Sequence, residues 1–283
     1  MYKRQLYAKE DIPLVDLDNT IFALDSTSIS VSINLAAWAS GKYSRGAVKM
    51  HTLLDLRGSI PTFIHISDGT WHDSNTMDYI QFEPNAIYTM DKAYVDLVAL
   101  NRMDTIGAYF VTRAKSVMRY RITERLKCEE EEVVSDQMVV LTGPKSSKLY
   151  PKPLRMVQYY DAETNEELIF ISNSMDISAL DITNIYRNRW QIEMFFKWIK
   201  QNLTIKRMWG YSENAVRIHL WVAIISYLLM AKIKAHLQTL YSITEVFRIL
   251  GVSAFAKTPI RELLTEPPQS TIENQNGKEQ KLF

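Results

Sequence analysis

Apolar residues recur along this chain in two rhythms, and each marks a different kind of element. In the first part they come as short β-prone runs, Thr20–Leu24, Ala47–Leu56, Ile60–Ile66, Ala86–Met90 and Ala108–Thr112, bounded by turn residues as strands are. Arg57, Gly58 and Ser59 join the second run to the third as a hairpin connection. Two helices are expected between these strands: Asp73–Phe82, started by Asp73 or Ser74 and ended before Pro84, and Val95–Met103. From Ser116 to Ser174 the segments are all β-like, roughly Val117–Leu126, Val133–Leu141, Leu154–Tyr160 and Leu168–Ser172. Gly143-Pro144, Pro151 to Pro153 and Asp161 to Asn165 separate them. The rhythm then lengthens. Ser178 and Asp181 form a capping signature for a helix that the periodicity carries through Lys200. After Gly210 and Ser212 a second, largely apolar helix is expected over Asn214–Leu237, and beyond Pro259 the chain turns polar.

Chemistry enters with the first long helix. At about 100° per residue, Tyr186, Arg189, Glu193 and Lys200 fall within about 60° of one another and make one polar stripe. Ile185, Ile192, Phe195, Phe196, Ile199 and Leu203 lie beside it, with Trp190, Met194 and Trp198 on the opposite flank, so the helix is largely buried. A carboxylate in such surroundings needs pairing or a metal, because charge taken out of water is costly. A plain salt bridge from Glu193 to Arg189 or Lys197 satisfies the same need.

Two aspartates stand where a strand is expected to end. Asp25 follows Thr20–Leu24 in ALDST, and Asp91 follows Ala86–Met90 in MDKAYVD. Carboxylates at the mouth of a sheet suit metal binding, although turn and cap roles suit Asp as well. Asp96 reads as part of the helix that follows. Lys49 and His51 alternate onto one face of their strand, as contacts to DNA or as the lining of a polar face. His65, His72 and Asp73 form a rival ligand cluster without the paired spacing of a zinc site.

Composition narrows the class. With 283 residues, 47% hydrophobic and 23% charged, the chain can bury a full core, as one domain with a substantial insertion. A single cysteine, Cys128, excludes an internal disulfide and any Cys-based metal site and suits a reducing cytoplasm. The chain opens on no signal peptide. Its longest apolar run, Leu220–Ala231, is interrupted by Ser226 and short of the roughly 20 residues of a membrane span, so it reads as a core helix. The net charge of +1 carries no global sign of nucleic-acid binding, but the local distribution does. Arg113 to Lys127 holds six basic residues against Glu124, and Arg187 to Arg207 six against Glu193. Basic runs with interleaved Tyr and Trp favour a phosphate-lined surface.

The spacing of Tyr186, Arg189, Glu193 and Lys200 resembles the YREK signature of bacterial insertion-sequence transposases of the DDE type, the insertion-sequence-four-like group. Asp91 with Tyr94 resembles the family's second aspartate, and Asp25 stands in a context similar to its first. The resemblance implies an α/β fold, a ribonuclease H-like mixed sheet with flanking helices and an inserted β-rich subdomain between the second Asp and the Glu. It implies residues 1–18 as a residual N-terminal segment and a catalytic domain over 19–115 and 175–265. Residues 116–174 are then the insertion and 266–283 a polar tail.

The same resemblance implies a catalytic triad of Asp25, Asp91 and Glu193 that also ligates two Mg²⁺ ions, which Mn²⁺ can replace. Tyr186, Arg189 and Lys200 would bind DNA. The implied reaction is cleavage at insertion-sequence ends and strand transfer into target DNA. The partners are double-stranded DNA and a second copy in a homodimeric complex, with no membrane, in the bacterial cytoplasm at the nucleoid. Relatives stack an aromatic of the insertion on a flipped base, for which Tyr150, Tyr159 and Tyr160 are the candidates here. The short segment ahead of Asp25 departs from the family pattern. It keeps open a non-catalytic DNA-binding or dimerising remnant, and a nuclease of the same fold without strand transfer, which would share the triad and metals, is a further alternative.

Overall fold

The computed structural model describes residues 17–31, 46–128, 130–202, 210 and 212–264. The expected N-terminal segment, apart from residues 17 and 18, and the expected polar tail lie outside them. Two compact units are present, residues 1–221 and 222–283, and the boundary falls inside one long helix.

The first unit is built on a sheet of β1 (Ile21–Val31), β2 (Gly46–Asp55), β3 (Ile60–Asp68), β4 (Ile87–Met90), β5 (Tyr109–Arg113), β6 (Tyr120–Arg125), β7 (Val133–Leu141), β8 (Leu154–Asp161) and β9 (Glu166–Ser172). Their order across the sheet is β3-β2-β1-β4-β5-β9-β8-β7-β6. The central strands β1, β4 and β5 run parallel, and the remaining neighbours pair antiparallel. The four strands of 116–174 therefore continue the same sheet, joined to it where β9 pairs with β5.

Alternation along the strands sorts their side chains to two faces. Phe22 and Leu24 of β1, Tyr88 and Met90 of β4 and Phe110 of β5 enter one buried cluster with Met77, Phe82, Tyr94 and Leu100. Helix α1 (Leu97–Ile106) covers that face, and a single turn, α2 (Ser146–Leu149), follows later in the chain. The intervening residues Ile21, Ala23, Ile87 and Val111 are equally buried on the other face, where α4 (Trp190–Asn202) packs on β1 and α3 (Ala179–Asn188) on β5.

The hairpin joining β2 to β3 forms as expected, with its positive φ at Ser59, at 51°. Two local expectations need correction. Only Asp73–Asp78 is helical in the first expected helix, as a 3₁₀ segment. The helix carrying Tyr186 to Lys200 is two helices. Arg189 keeps helical dihedrals (φ −51°, ψ −27°), but its N–H bonds to the Tyr186 carbonyl and its own carbonyl accepts from Ile192. A three-residue spacing replaces the four-residue one for a turn, which tightens the helix without the Gly or Pro that would have announced it.

Helix α5 (Glu213–Leu237) crosses the boundary between the units. The apolar run that looked too short for a membrane belongs to this 25-residue helix, which by length and composition is long enough to cross one. Leu220, Ala223, Ile224 and Tyr227 are buried, whereas Trp221, Val222, Ile225 and Leu229 are exposed, so it is only in part a core helix. In the second unit, α6 (Ile243–Val252) starts at a capping box of Ser242 and Glu245, and a single turn, α7 (Ile260–Leu263), follows it.

Candidate active site

Register decides where the carboxylates go. Leu24 of β1 pairs with Met90 of β4, and Met90 with Thr112 of β5, so the next residues, Asp25, Asp91 and Arg113, stand side by side across three parallel strands. All three share the alternation of Ala23, Thr89 and Val111 and so face the side that α3 and α4 cover. Adjacent strands are about 4.8 Å apart, which sets the spacing of this row. Asp25 is not at the end of its strand, as expected, but in the middle of β1. What ends at Leu24 is the pairing with β4, after which the edge of β1 is open to the site.

Glu193 reaches the same place from the first turn of α4. Arg189, at the joint of α3 and α4, sets one terminal guanidinium nitrogen 2.8 Å from Asp25 Oδ2 and the other 3.1 Å from Glu193 Oε1. Its carbon lies 5.6 Å from the centre of the Tyr186 ring, which in turn packs on Phe170 with ring centres 4.9 Å apart. Asp25 Oδ1 accepts from the Ser26 N–H at 2.8 Å, and Asp91 Oδ1 from the Ala93 N–H at 3.1 Å.

Burial and charge tune these groups. Burial pushes the Asp25 carboxyl up to about 6 against the pull of Arg189, with Glu193 and Asp91 adding like-charge repulsion. Burial works against the Arg189 charge, but Asp25, Tyr186 and Glu193 more than offset it and hold the guanidinium above its ordinary range. Burial also raises the Tyr186 phenol, while Arg189 lowers it.

All six residues singled out from sequence, Asp25, Asp91, Tyr186, Arg189, Glu193 and Lys200, line one cleft of about 850 Å³. Arg113, Arg187 and Lys197 line it too, and sequence reasoning missed them as site residues. A signal for Arg113 existed, since it ends its expected strand as Asp91 ends its own. Asp73 was also missed in its actual role. From the other face of the sheet it accepts from Ser26 Oγ at 2.8 Å and from Lys49 Nζ at 3.1 Å, tying down the residue next to Asp25. Lys49 and His51 do share a face, and both turn to Asp73, with His51 Nδ1 3.7 Å away.

The rival cluster does not form a metal site. Among the described residues no three His, Cys, Asp or Glu side chains are drawn together closely enough to hold an ion as they stand, and this includes the two aspartates with Glu193. Asp96 is a helix cap, accepting from the N–H groups of Val98 and Ala99. Of the candidate stacking tyrosines, Tyr150 is fully buried against Phe110 and Tyr159 is buried. Tyr160 is exposed but stands outside the lining of the cleft.

Residues 16–229 match the family model described as the transposase DDE domain. A protein of Sinorhizobium fredii assigned as a transposase, y4zB, is 34% identical over 212 residues, 73% of this chain and 59% of that protein. The protein assigned to insertion sequence element IS5377 of Geobacillus stearothermophilus is 29% identical over 73% of this chain and 55% of its own length. The one assigned to element IS4SA of Synechocystis is 29% identical over 81% and 64%. The chain thus spans between about half and two thirds of these relatives. Among solved structures, the piggyBac transposase synaptic complex with hairpin DNA superposes with a TM-score of 0.52 at 10% identity, covering 87% of this chain and 56% of that one. The likeness is one of fold, and it identifies the α/β sheet as the ribonuclease H-like sheet expected from sequence.

Proposed function

This chain belongs to the transposase DDE domain family, and from that premise we propose that it cleaves DNA at insertion-sequence ends and transfers the freed strand into target DNA. The observation that carries the proposal is the register that sets Asp25 beside Asp91 on the sheet face where Glu193 arrives. These three carboxylates are the catalytic residues and the metal ligands.

The donor set suits Mg²⁺. It is hard oxygen throughout, and Asp25 feels Glu193 and Asp91 as like charges, a surplus that a divalent cation neutralises. Two Mg²⁺ ions, or Mn²⁺ in their place, would supply activation of the attacking oxygen and stabilisation of the leaving one in an in-line displacement. The side chains do the rest. Arg113, Lys197 and Lys200 present positive charge to phosphates along the cleft wall, Arg113 through a forked donor set and the lysines as point charges. Arg189 and Tyr186 belong to the same DNA-facing stripe, and the Tyr186 hydroxyl stays protonated and able to donate, because burial keeps its ionisation above the usual range. Water is the first nucleophile, freeing a 3′-hydroxyl at the element end, and that hydroxyl is the second, attacking a target phosphodiester. The working complex is a homodimer on double-stranded DNA.

A labelled DNA carrying the flanking element ends, incubated with Mg²⁺ or Mn²⁺, tests this against Glu193→Gln, which keeps size and removes charge. Wild type is expected to nick the end and join it to target while the variant only binds. Cutting without joining assigns a nuclease, and binding without cutting by both proteins assigns a non-catalytic DNA-binding chain.

A further inference from the structure

Arg189 carries the signature's guanidinium, and the geometry gives it a task other than gripping phosphate. Its two terminal nitrogens are both engaged, one with a carboxylate 164 positions away in the chain and one with a carboxylate four positions on. Its side chain is only 11% exposed, and those of Asp25 and Glu193 are 20% and 22% exposed, so all three groups are largely out of water. Arg189 sits in the tightened turn between α3 and α4, bonded through its own N–H and carbonyl, which fixes the root of the side chain beside the two carboxylates. Its fork lies between Asp25 and Glu193, the two carboxylates a shared cation would also need.

The remaining oxygens sharpen the point. Asp25 Oδ1 is taken up by the Ser26 N–H, which leaves Oδ2 to face the cleft, and Oδ2 is the atom Arg189 holds. Removing the guanidinium would leave Asp25 facing Glu193 and Asp91 with no countercharge at that distance, in a place where burial already opposes its ionisation.

We infer that Arg189 is a positioning residue for the carboxylates: in the metal-free protein it holds Asp25 and Glu193 converged, and it competes with the divalent ion for Asp25 Oδ2 and Glu193 Oε1. This rests on the reading of Asp25, Asp91 and Glu193 as the metal site. A bound ion would put one positive charge in place of another at Asp25 and Glu193 and would leave the guanidinium without these two partners.

The test is Mn²⁺ binding to the full chain without DNA, followed by the loss of the free-ion paramagnetic signal, together with thermal unfolding with and without Mn²⁺. Arg189→Gln, which removes a positive charge competing for the same two carboxylates, is expected to lower the metal-free Tm, to bind Mn²⁺ on the order of 10-fold more tightly than wild type, and to show the larger Mn²⁺-induced rise in Tm. Arg189→Lys, which keeps charge but loses the fork, is expected to fall between them, and it carries the comparison alone if the Gln variant does not fold. Asp91→Asn is the control and should abolish Mn²⁺ binding. Unchanged or weaker Mn²⁺ binding by the Arg189 variants, with Asp91→Asn still defective, overturns the inference and leaves the triad standing. If wild type binds no Mn²⁺, or Asp91→Asn binds it as wild type does, the triad reading fails and the inference falls with it.

Discussion

His51 shows how a single side chain is held by its surroundings. It is fully buried, its Nε2 lies 2.9 Å from Ser67 Oγ, and burial drives its ring down to about 4 while Asp73 pulls the other way. The sign follows from the two protonation states. Between pH 6.5 and pH 4 the unfolded chain binds this proton and the folded chain does not, so stability is lost as pH falls through that window. A shift of this size corresponds to about 3 kcal/mol. His51→Gln, which keeps a partner for Ser67, is expected to lose this part of the acid sensitivity. In urea unfolding the gap between wild type and variant should shrink by about that amount on going from pH 6.5 to pH 4.

Two aspartates five positions apart illustrate what an element does to identical chemistry. Asp91 leaves β4 toward the cleft and caps only the short 3₁₀ turn Lys92–Tyr94 through the Ala93 N–H, whereas Asp96 turns back to cap α1, accepting at 2.9 Å and 3.0 Å from the Val98 and Ala99 N–H groups. Asp96→Ala should therefore cost about 1 kcal/mol of stability and leave DNA cleavage intact. Asp91→Ala should abolish cleavage. Urea midpoints and end-cleavage assays on the two variants separate a stability defect from the loss of cleavage proposed for Asp91. The element scale is also where sequence reading slipped. Continuous apolar spacing over Tyr186–Lys200 gave no hint of the joint at Arg189, because a three-residue hydrogen bond needs no breaker residue. The short helix after Asp73 shrank to a 3₁₀ segment, and Ile80 and Phe82 beyond it enter the core from non-helical backbone.

At the scale of the first unit, the far half of the sheet is tied to the helices by a buried ion pair. Arg155 of β8 donates to Asp136 of β7 at 2.9 Å and 2.6 Å and also to the carbonyl of Ile177, in the segment that leads into α3. The two side chains are 6% and 3% exposed, so removing one partner strands a charge out of water. Arg155→Met should cost about 3–5 kcal/mol, and adding Asp136→Leu should restore much of it, because the pair together is worth far less than either broken half. Urea unfolding of the two single variants and the double closes that cycle.

From sequence alone, Asp25, Asp91 and Glu193 could be named, together with most of the strands, the cap at Ser178 and the decoy Asp96. The strands and the caps are written locally, in period-two runs and short motifs, and the three carboxylates are marked by apolar runs ahead of two of them and a signature spacing around the third. Tertiary structure decided what local pattern cannot carry. Strand register, which depends on pairing between distant segments, set Arg113 in line with the two aspartates and left Asp25 in the middle of its strand. Sheet order joined the strands of 116–174 to the central parallel strands through β5 and β9. The place of Arg189 between Asp25 and Glu193 is likewise tertiary, because an ion pair across 164 positions exists only once sheet and helices have packed.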